Sequence, residues 1–489
     1  MHALIRFLIP AISGLFAFAA FAAHPALAQV STFRADQAQA DLDRLYSGLR
    51  SGAADLYSET PEHVFDARYA ELSEKYQAPV SGFELHNDLQ RFAALARQAH
   101  TRIEGLNPDW NRFVESDGMV FPLSFEVYQG EVIVTAAPVN SGVEPDDRIV
   151  ALEGAPNPLW LARLRRNIAA ETPELAYAMM NGGELYYLWL EYGPRPEFHL
   201  KIERNGEIKS VRLDAVPISD LDNVTAGTTG FELPGREARM LDPKIAYLRP
   251  GAFYNLEATN ADEAYLPQAL IDYEAYVNSA FSGFIEQSAT DLIVDLRDNS
   301  GGDNSYSDPV VAWFADRPFR FTSDFRIRVS AETIASNQAR LDAGSEDSGG
   351  ISAQLAQLYA EAVPGELVSF EIPFVEPRQP LRYSGRVHVL VNRYSYSNAV
   401  TTAAMIQDYG FGTLYGEPTR DMATTYGALE HFTLPHSGAR VGYPKAHIIR
   451  PNGDEKSRPV MPDVALSAPA VRGAEDRVLK QLLQRLRDK

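Results

Sequence analysis

Short apolar runs, each closed by a polar turn and separated by helical stretches, fill the second half of this 489-residue chain. Ile245-Ala246-Tyr247-Leu248, Leu292-Ile293-Val294-Asp295-Leu296, Val387-His388-Val389-Leu390-Val391 and Gly412-Thr413-Leu414-Tyr415 read as strands. Residues 265–287 and 399–408 read as helices. That alternation restricts the region to an α/β or α+β core. The polar, Gly/Ser-rich stretch 331–364 reads as an inserted, partly helical excursion, and residues 473–489 as an amphipathic helix.

The first half has two other textures. Residues 37–45 and 87–97 carry apolar side chains at helical spacing, punctuated by Pro61, Pro79 and Pro108. From about Val120 short alternating strands take over, with turn signals at Gln129-Gly130 and Asn205-Gly206. The segment from Gly142 to Gly154 resembles the core of a PDZ-type domain, in which Gly-Asp-x-Ile leads to a strand ending in Asn-Gly. Asp146-Asp147 and Glu153-Gly154 stand in those places here.

Met1 to Ala28 has one positive side chain, Arg6, then an apolar run from Phe7 to Ala23 and the small-x-small site Ala26-Leu27-Ala28. This is the anatomy of a cleaved secretory signal peptide, so an exported, periplasmic protein without an integral membrane anchor is expected. No cysteine is present, which excludes disulfides and thiolate metal sites and fits a periplasm where disulfides are optional. The formal charge of −20 becomes −21 once Arg6 leaves with the leader, and nucleic acid is not an expected partner.

Three segments carry candidate chemistry. Asp295-Leu296-Arg297-Asp298-Asn299-Ser300-Gly301-Gly302 takes a strand into a turn whose glycines permit close backbone approach and whose N–H groups can face an anion. Val389-Leu390-Val391-Asn392 leads through Arg393-Tyr394-Ser395-Tyr396-Ser397 into a helix starting at Asn398. A serine at that helix start lies beside free N–H groups suited to an oxyanion; Ser395 or Ser397 could equally cap the helix. Gly416-Glu417-Pro418-Thr419 and Val460-Met461-Pro462-Asp463 follow.

In that order and spacing, from about Ile245 to Leu466, these segments resemble the tail-specific, or C-terminal processing, serine peptidases. The resemblance implies a multi-domain α/β (α+β) protein: a helical N-terminal domain (29–115), a PDZ-like β module (116–215), a connector (216–244), a crotonase/ClpP-like peptidase core (245–470) and a C-terminal helix (471–489). It places the nucleophile at Ser397 and the oxyanion hole at Gly301 or Gly302 with the N–H of Asn398. The better-known branch has a basic lysine about 25 residues beyond the serine; Met422 stands there, and the nearest downstream lysine is Lys445. The sequence is more similar to the histidine-using, tricorn-like branch. His100-Thr101, at the end of the helix expected over 87–97, matches that branch's base, and Glu455, before Val460-Met461-Pro462-Asp463, its supporting acid, with Glu417 and Asp421 as rivals.

The expected reaction is hydrolysis of peptide bonds in peptides or unfolded proteins, with a low-side pKa near that of histidine, roughly 6 to 7. The PDZ-like module is expected to take a chain terminus by strand addition. A catalytically silent peptide- or lipid-binding protein, or an esterase, are the alternatives. No His-Glu-x-x-His or EF-hand pattern is present. Asp295, Asp298 and Asp303 are expected to bond within their own turn, so no metal and no cofactor are expected.

Overall fold

The computed structural model describes residues 32–221, 225–227, 233, 235–259, 263–342 and 350–488. The expected leader, residues 1–28, lies outside them. The chain is a mixed α/β, multi-domain protein.

The N-terminal part consists of α1 (Ala35–Gly52), α2 (Glu62–Lys75) and α3 (Gly82–Ala94). Ser81 caps α3, accepting from the Glu84 N–H while Glu84 reaches back to Ser81, a reciprocal cap that fixes the start of the helix. Helix α3 ends at Ala94, not at Arg97, and Arg97 turns the chain with φ of 50°. His100 therefore sits in a turn beyond the helix. Arg102 and Ile103 follow at once and pair with Gly442 and Val441.

Next comes a wholly antiparallel sheet built on β1 (Ser124–Tyr128), β2 (Glu131–Pro138), β3 (Arg148–Leu152), β4 (Glu197–Arg204) and β5 (Glu207–Asp214). Helices over Asn157–Arg165, Pro173–Met180 and Glu184–Tyr192 pack against it. Asp146 and Glu153, standing where the PDZ pattern has Gly and Asn, both adopt positive φ, 73° and 50°. Asp147 accepts from the Glu144 N–H and pairs with Arg204, which closes the loop.

The central sheet has the order β6 (Glu237–Asp242), β7 (Ile245–Arg249), β8 (Asp291–Asp295), β10 (Arg386–Val391), β11 (Thr413–Gly416) and β14 (Val464–Ala465). All its pairs are parallel except β6–β7. Its inner strands are buried almost end to end and largely apolar because both faces are covered. Leu292, Val294, Val387, Val389 and Val391 face α4 (Pro267–Glu286), α5 (Asn304–Ala312) and α6 (Asn398–Tyr409), while Ile293 and Leu390 face α7 (Arg477–Arg487). The loops after β8, β10 and β11 all leave from the same, carboxyl, edge of the parallel strands, the edge where open α/β sheets build their sites.

A second antiparallel sheet contains β9 (Asp324–Arg328), β12 (Thr425–Thr433) and β13 (Arg440–Ile449). The excursion is helical over Ala331–Asp342 and Ile351–Glu361. The N-terminal helices share one core with this sheet: Leu42, Leu45, Leu49 and Phe92 pack with Phe432, Leu434, Val441 and Tyr443.

Candidate active site

Ser397 is held in an uncomfortable backbone. Its φ of 50° and ψ of −122° are those of the first central residue of a type II′ turn, a conformation favoured by glycine. The neighbouring loop leaves room for this: a Cβ on Gly301 would lie 2.7 Å from Ser397 Cβ and 2.8 Å from the Asn398 nitrogen. Gly301, with φ of 85°, is therefore required by close approach as well as by conformation. The two loops are stitched together, since Tyr396 N–H donates to Asn299 O (2.9 Å) and Asp298 N–H to Asn392 Oδ1 (3.1 Å).

Ser397 makes no capping bond to α6. Its Oγ lies 3.2 Å from His100 Nε2. Ser395 is buried and spent on structure: its Oγ donates to Leu296 O (2.8 Å) and accepts from Asn392 N–H (3.1 Å). The structure thus brings together two residues 297 positions apart and leaves Ser395 as a staple of the turn.

His100 is 6% exposed, and its ring stacks on Tyr396 with centroids 5.4 Å apart. Tyr396 Oη donates to the Ala99 carbonyl (3.1 Å), fixing the loop that presents the imidazole. Burial, followed by the nearby Arg102 guanidinium, lowers the His100 pKa to about 4. The Tyr426 backbone carbonyl is near enough to favour protonation, yet Nδ1 has no hydrogen-bond partner among the described residues.

That vacancy corrects the expected supporting acid. Glu455 does not face His100: its side chain is 61% exposed and its Oε1 accepts from Arg326 Nη2 at 2.7 Å. It belongs to a surface ion pair at the edge of the second sheet. Glu417 is not the substitute, because Arg393 Nε donates to its Oε1 at 2.8 Å inside a buried pair. The third rival, Asp421, is fully buried and touches the backbone of Ser397 instead: Ser397 N–H donates to Asp421 Oδ2 at 2.6 Å, and Met422 N–H to Oδ1 at 2.8 Å.

The oxyanion-hole expectation also needs one correction. Gly301 N–H already donates to Asn299 Oδ1 (2.8 Å) and cannot serve a substrate without breaking that bond. No hydrogen bond within the described residues occupies the N–H of Gly302 or Asn398. Asn398 heads α6, where the helix dipole adds to its N–H.

Met422, in the place of the lysine, is buried and pairs with Pro459. Lys445 is buried elsewhere, donating to Glu430 Oε1 at 2.6 Å. His388 Nε2 donates to Asp291 Oδ1 inside the central sheet (2.9 Å). The acidic residues of the first turn all have partners: Asp295 takes Arg297 and Tyr247, Asp298 takes Asn392 and Arg472, and Asp303 caps α5 through Ser305 N–H.

One group at the site had no sequence signal. Glu171, between two helices of the β module, accepts from Ala99 N–H through Oε1 (3.2 Å), and its Oε2 is buried without a partner. Burial, then the Asp421 charge, pushes its pKa up to about 8. A lone Glu before Thr172-Pro173 reads as the approach to a helix, and only the three-dimensional meeting of module and loop reveals it.

Residues 244–466 match peptidase family S41. No curated protein matches the chain in sequence. Mature CPAF in complex with lactacystin is similar in structure, with a TM-score of 0.62 at 16% identity over 93% of this chain and 97% of that one. Mature CPAF alone gives 0.58 at 15% identity, over 93% and 96%.

Proposed function

From the peptidase family S41 domain that the chain carries at residues 244–466, we propose an exported serine peptidase that cleaves polypeptides with Ser397 as nucleophile and His100 as general base. The observation that carries this reading is the 3.2 Å approach of His100 Nε2 to Ser397 Oγ across 297 residues of sequence. A histidine buried and neutral, with its proton on Nδ1, leaves Nε2 free to accept the hydroxyl proton. Ser397 Oγ attacks the scissile carbonyl as that proton moves to Nε2. The N–H groups of Gly302 and Asn398 receive the developing oxyanion. His100 returns the proton to the leaving amine, and water then cleaves the acyl-enzyme by the same route.

With no hydrogen-bond partner on Nδ1 among the described residues, the pair works as a dyad, and the Tyr426 carbonyl and the Glu104 charge are what favour the imidazolium. The β module supplies a recognition surface: β5 forms an edge of its sheet, paired only with β4 among the described residues, and a substrate strand can extend it. Export rests on the leader read at residues 1–28.

A fluorophosphonate probe tests the reading. The mature chain should be labelled at Ser397 and should hydrolyse an unfolded protein substrate, with labelling lost in Ser397→Ala and reduced by orders of magnitude in His100→Ala. A wild-type chain that neither labels nor cleaves sinks it.

A further inference from the structure

Asp421 satisfies two backbone donors at once, one of them the amide of the strained residue Ser397. The loop that carries it is pinned. Thr419 N–H donates to Val460 O (3.1 Å), Val460 N–H returns to Thr419 Oγ1 (2.9 Å), and Ala423 N–H donates to Arg458 O (2.8 Å). Thr419 Oγ1 also donates to the Asp421 carbonyl (2.9 Å). The carboxylate is thus offered from a rigid frame to an amide that needs one.

We propose that Asp421 is a positioning residue of the Ser397 site, whose carboxylate locks the peptide before the nucleophile and so holds both Oγ and the Asn398 N–H in register. This rests on the reading of Ser397 as nucleophile. A Ser at φ 50° and ψ −122° relaxes if its amide is released, because positive φ is strained for a residue that bears a side chain. Relaxation rotates the peptide planes on both sides of Ser397. The following plane carries the Asn398 N–H, so nucleophile and oxyanion donor are lost together.

The chemistry requires a carboxylate. Both partners are N–H donors, and Asp presents two acceptor oxygens; Asn presents one, with its NH₂ turned against the second donor. Stability alone does not explain the residue: burial pushes its pKa up to about 6, so keeping it ionised is costly. Glu171, which faces it, is largely protonated at neutral pH and so adds little negative charge beside it.

The experiment uses the mature chain and three measurements. Fluorophosphonate labelling rates are taken on the folded, monodisperse fraction from gel filtration. Asp421→Ala should label about 100-fold more slowly, and Asp421→Asn should fall between it and the wild type; hydrolysis should lose kcat while KM holds, with Tm little changed. In the wild type, hydrogen exchange should show the Ser397 amide protected. Wild-type labelling rates in the folded Asp421→Asn protein, a change confined to KM, or an unprotected Ser397 amide in an otherwise protected loop would each overturn the assignment. A wild type that does not label overturns the nucleophile itself, which is a separate failure.

Discussion

Ser395 and Ser397 occupy one turn two residues apart, and hydrogen bonding gives them different work. Ser395 Oγ bridges Leu296 O and Asn392 N–H, so Ser395→Ala should cost about 1 kcal/mol of stability and leave most activity. Ser397→Ala should abolish labelling with Tm almost unchanged, as it removes no capping bond. His100 sets the pH behaviour. Its pKa of about 4 lies well below the 6 to 7 expected from sequence, since burial and Arg102 act against the imidazolium. A neutral base is required, so kcat/KM should fall steeply only as pH drops through about 4. A shallower limb near 6 should belong to Asp421 and vanish in Asp421→Asn while the limb near 4 stays. Stability follows the same group. Between pH 6.5 and about 4 the unfolded chain binds a proton on this histidine that the folded chain does not, so stability is lost as pH falls through that window. His100→Gln should therefore weaken the pH dependence of the denaturant-unfolding midpoint across it by roughly 3 kcal/mol, leaving the share of His86, whose pKa burial also lowers to about 4.

The two-residue pairing of Arg102-Ile103 with Val441-Gly442 is the element that delivers His100. It is short, and it joins the N-terminal helices to the second sheet. A Cβ at Gly442 would meet Glu104 Oε1 at 2.8 Å and Leu429 Cδ1 at 3.0 Å. Gly442→Val should push this pairing apart at a cost of roughly 1–3 kcal/mol. Probe labelling should drop by at least tenfold, since a misplacement of about 1 Å at the base costs that much or more. A variant with lowered Tm and full labelling would show that His100 is held by Tyr396 and Glu171 instead. The strands and helices of the core were legible in sequence because β8 and β10 carry the apolar runs Leu292-Ile293-Val294 and Val389-Leu390-Val391 and lead into Gly- and Ser-bearing turns. The partner of His100 was not. The resemblance to the histidine-using branch implies a carboxylate near Val460, yet Glu455 follows a turn that leaves it pointing at Arg326. Which of several acids meets a ring depends on loop paths that periodicity does not encode.

At the scale of the whole molecule, the central sheet beneath the proposed site is supported from behind by the last helix. Ile293, Leu390 and Tyr415, one from each of three adjacent strands, are covered by Val478, Leu482 and Leu486 of α7. The helix is also tied to the loop after β8: Arg297, buried in that turn, pairs with Asp295 and, at 2.7 and 2.8 Å, with Asp476, the residue that caps α7. Asp476 thus serves two structures, accepting from Leu479 N–H at 2.9 Å while neutralising Arg297. Removing it leaves a buried guanidinium with one anion fewer, so Asp476→Ala should cost about 3–5 kcal/mol, more than a surface cap is worth. Leu482→Ala should cost about 2–5 kcal/mol by opening a cavity against Ile293 and Leu390. The two changes act on one interface, so their sum should differ measurably from the double variant in denaturant unfolding. Deleting residues 471–489 exposes the apolar face of three core strands and should yield aggregated chain that no longer labels at Ser397. If the truncated chain instead stays monomeric and labels at the wild-type rate, the Asp476–Arg297 tie contributes nothing to holding the loop of Gly301 and Gly302 against Ser397.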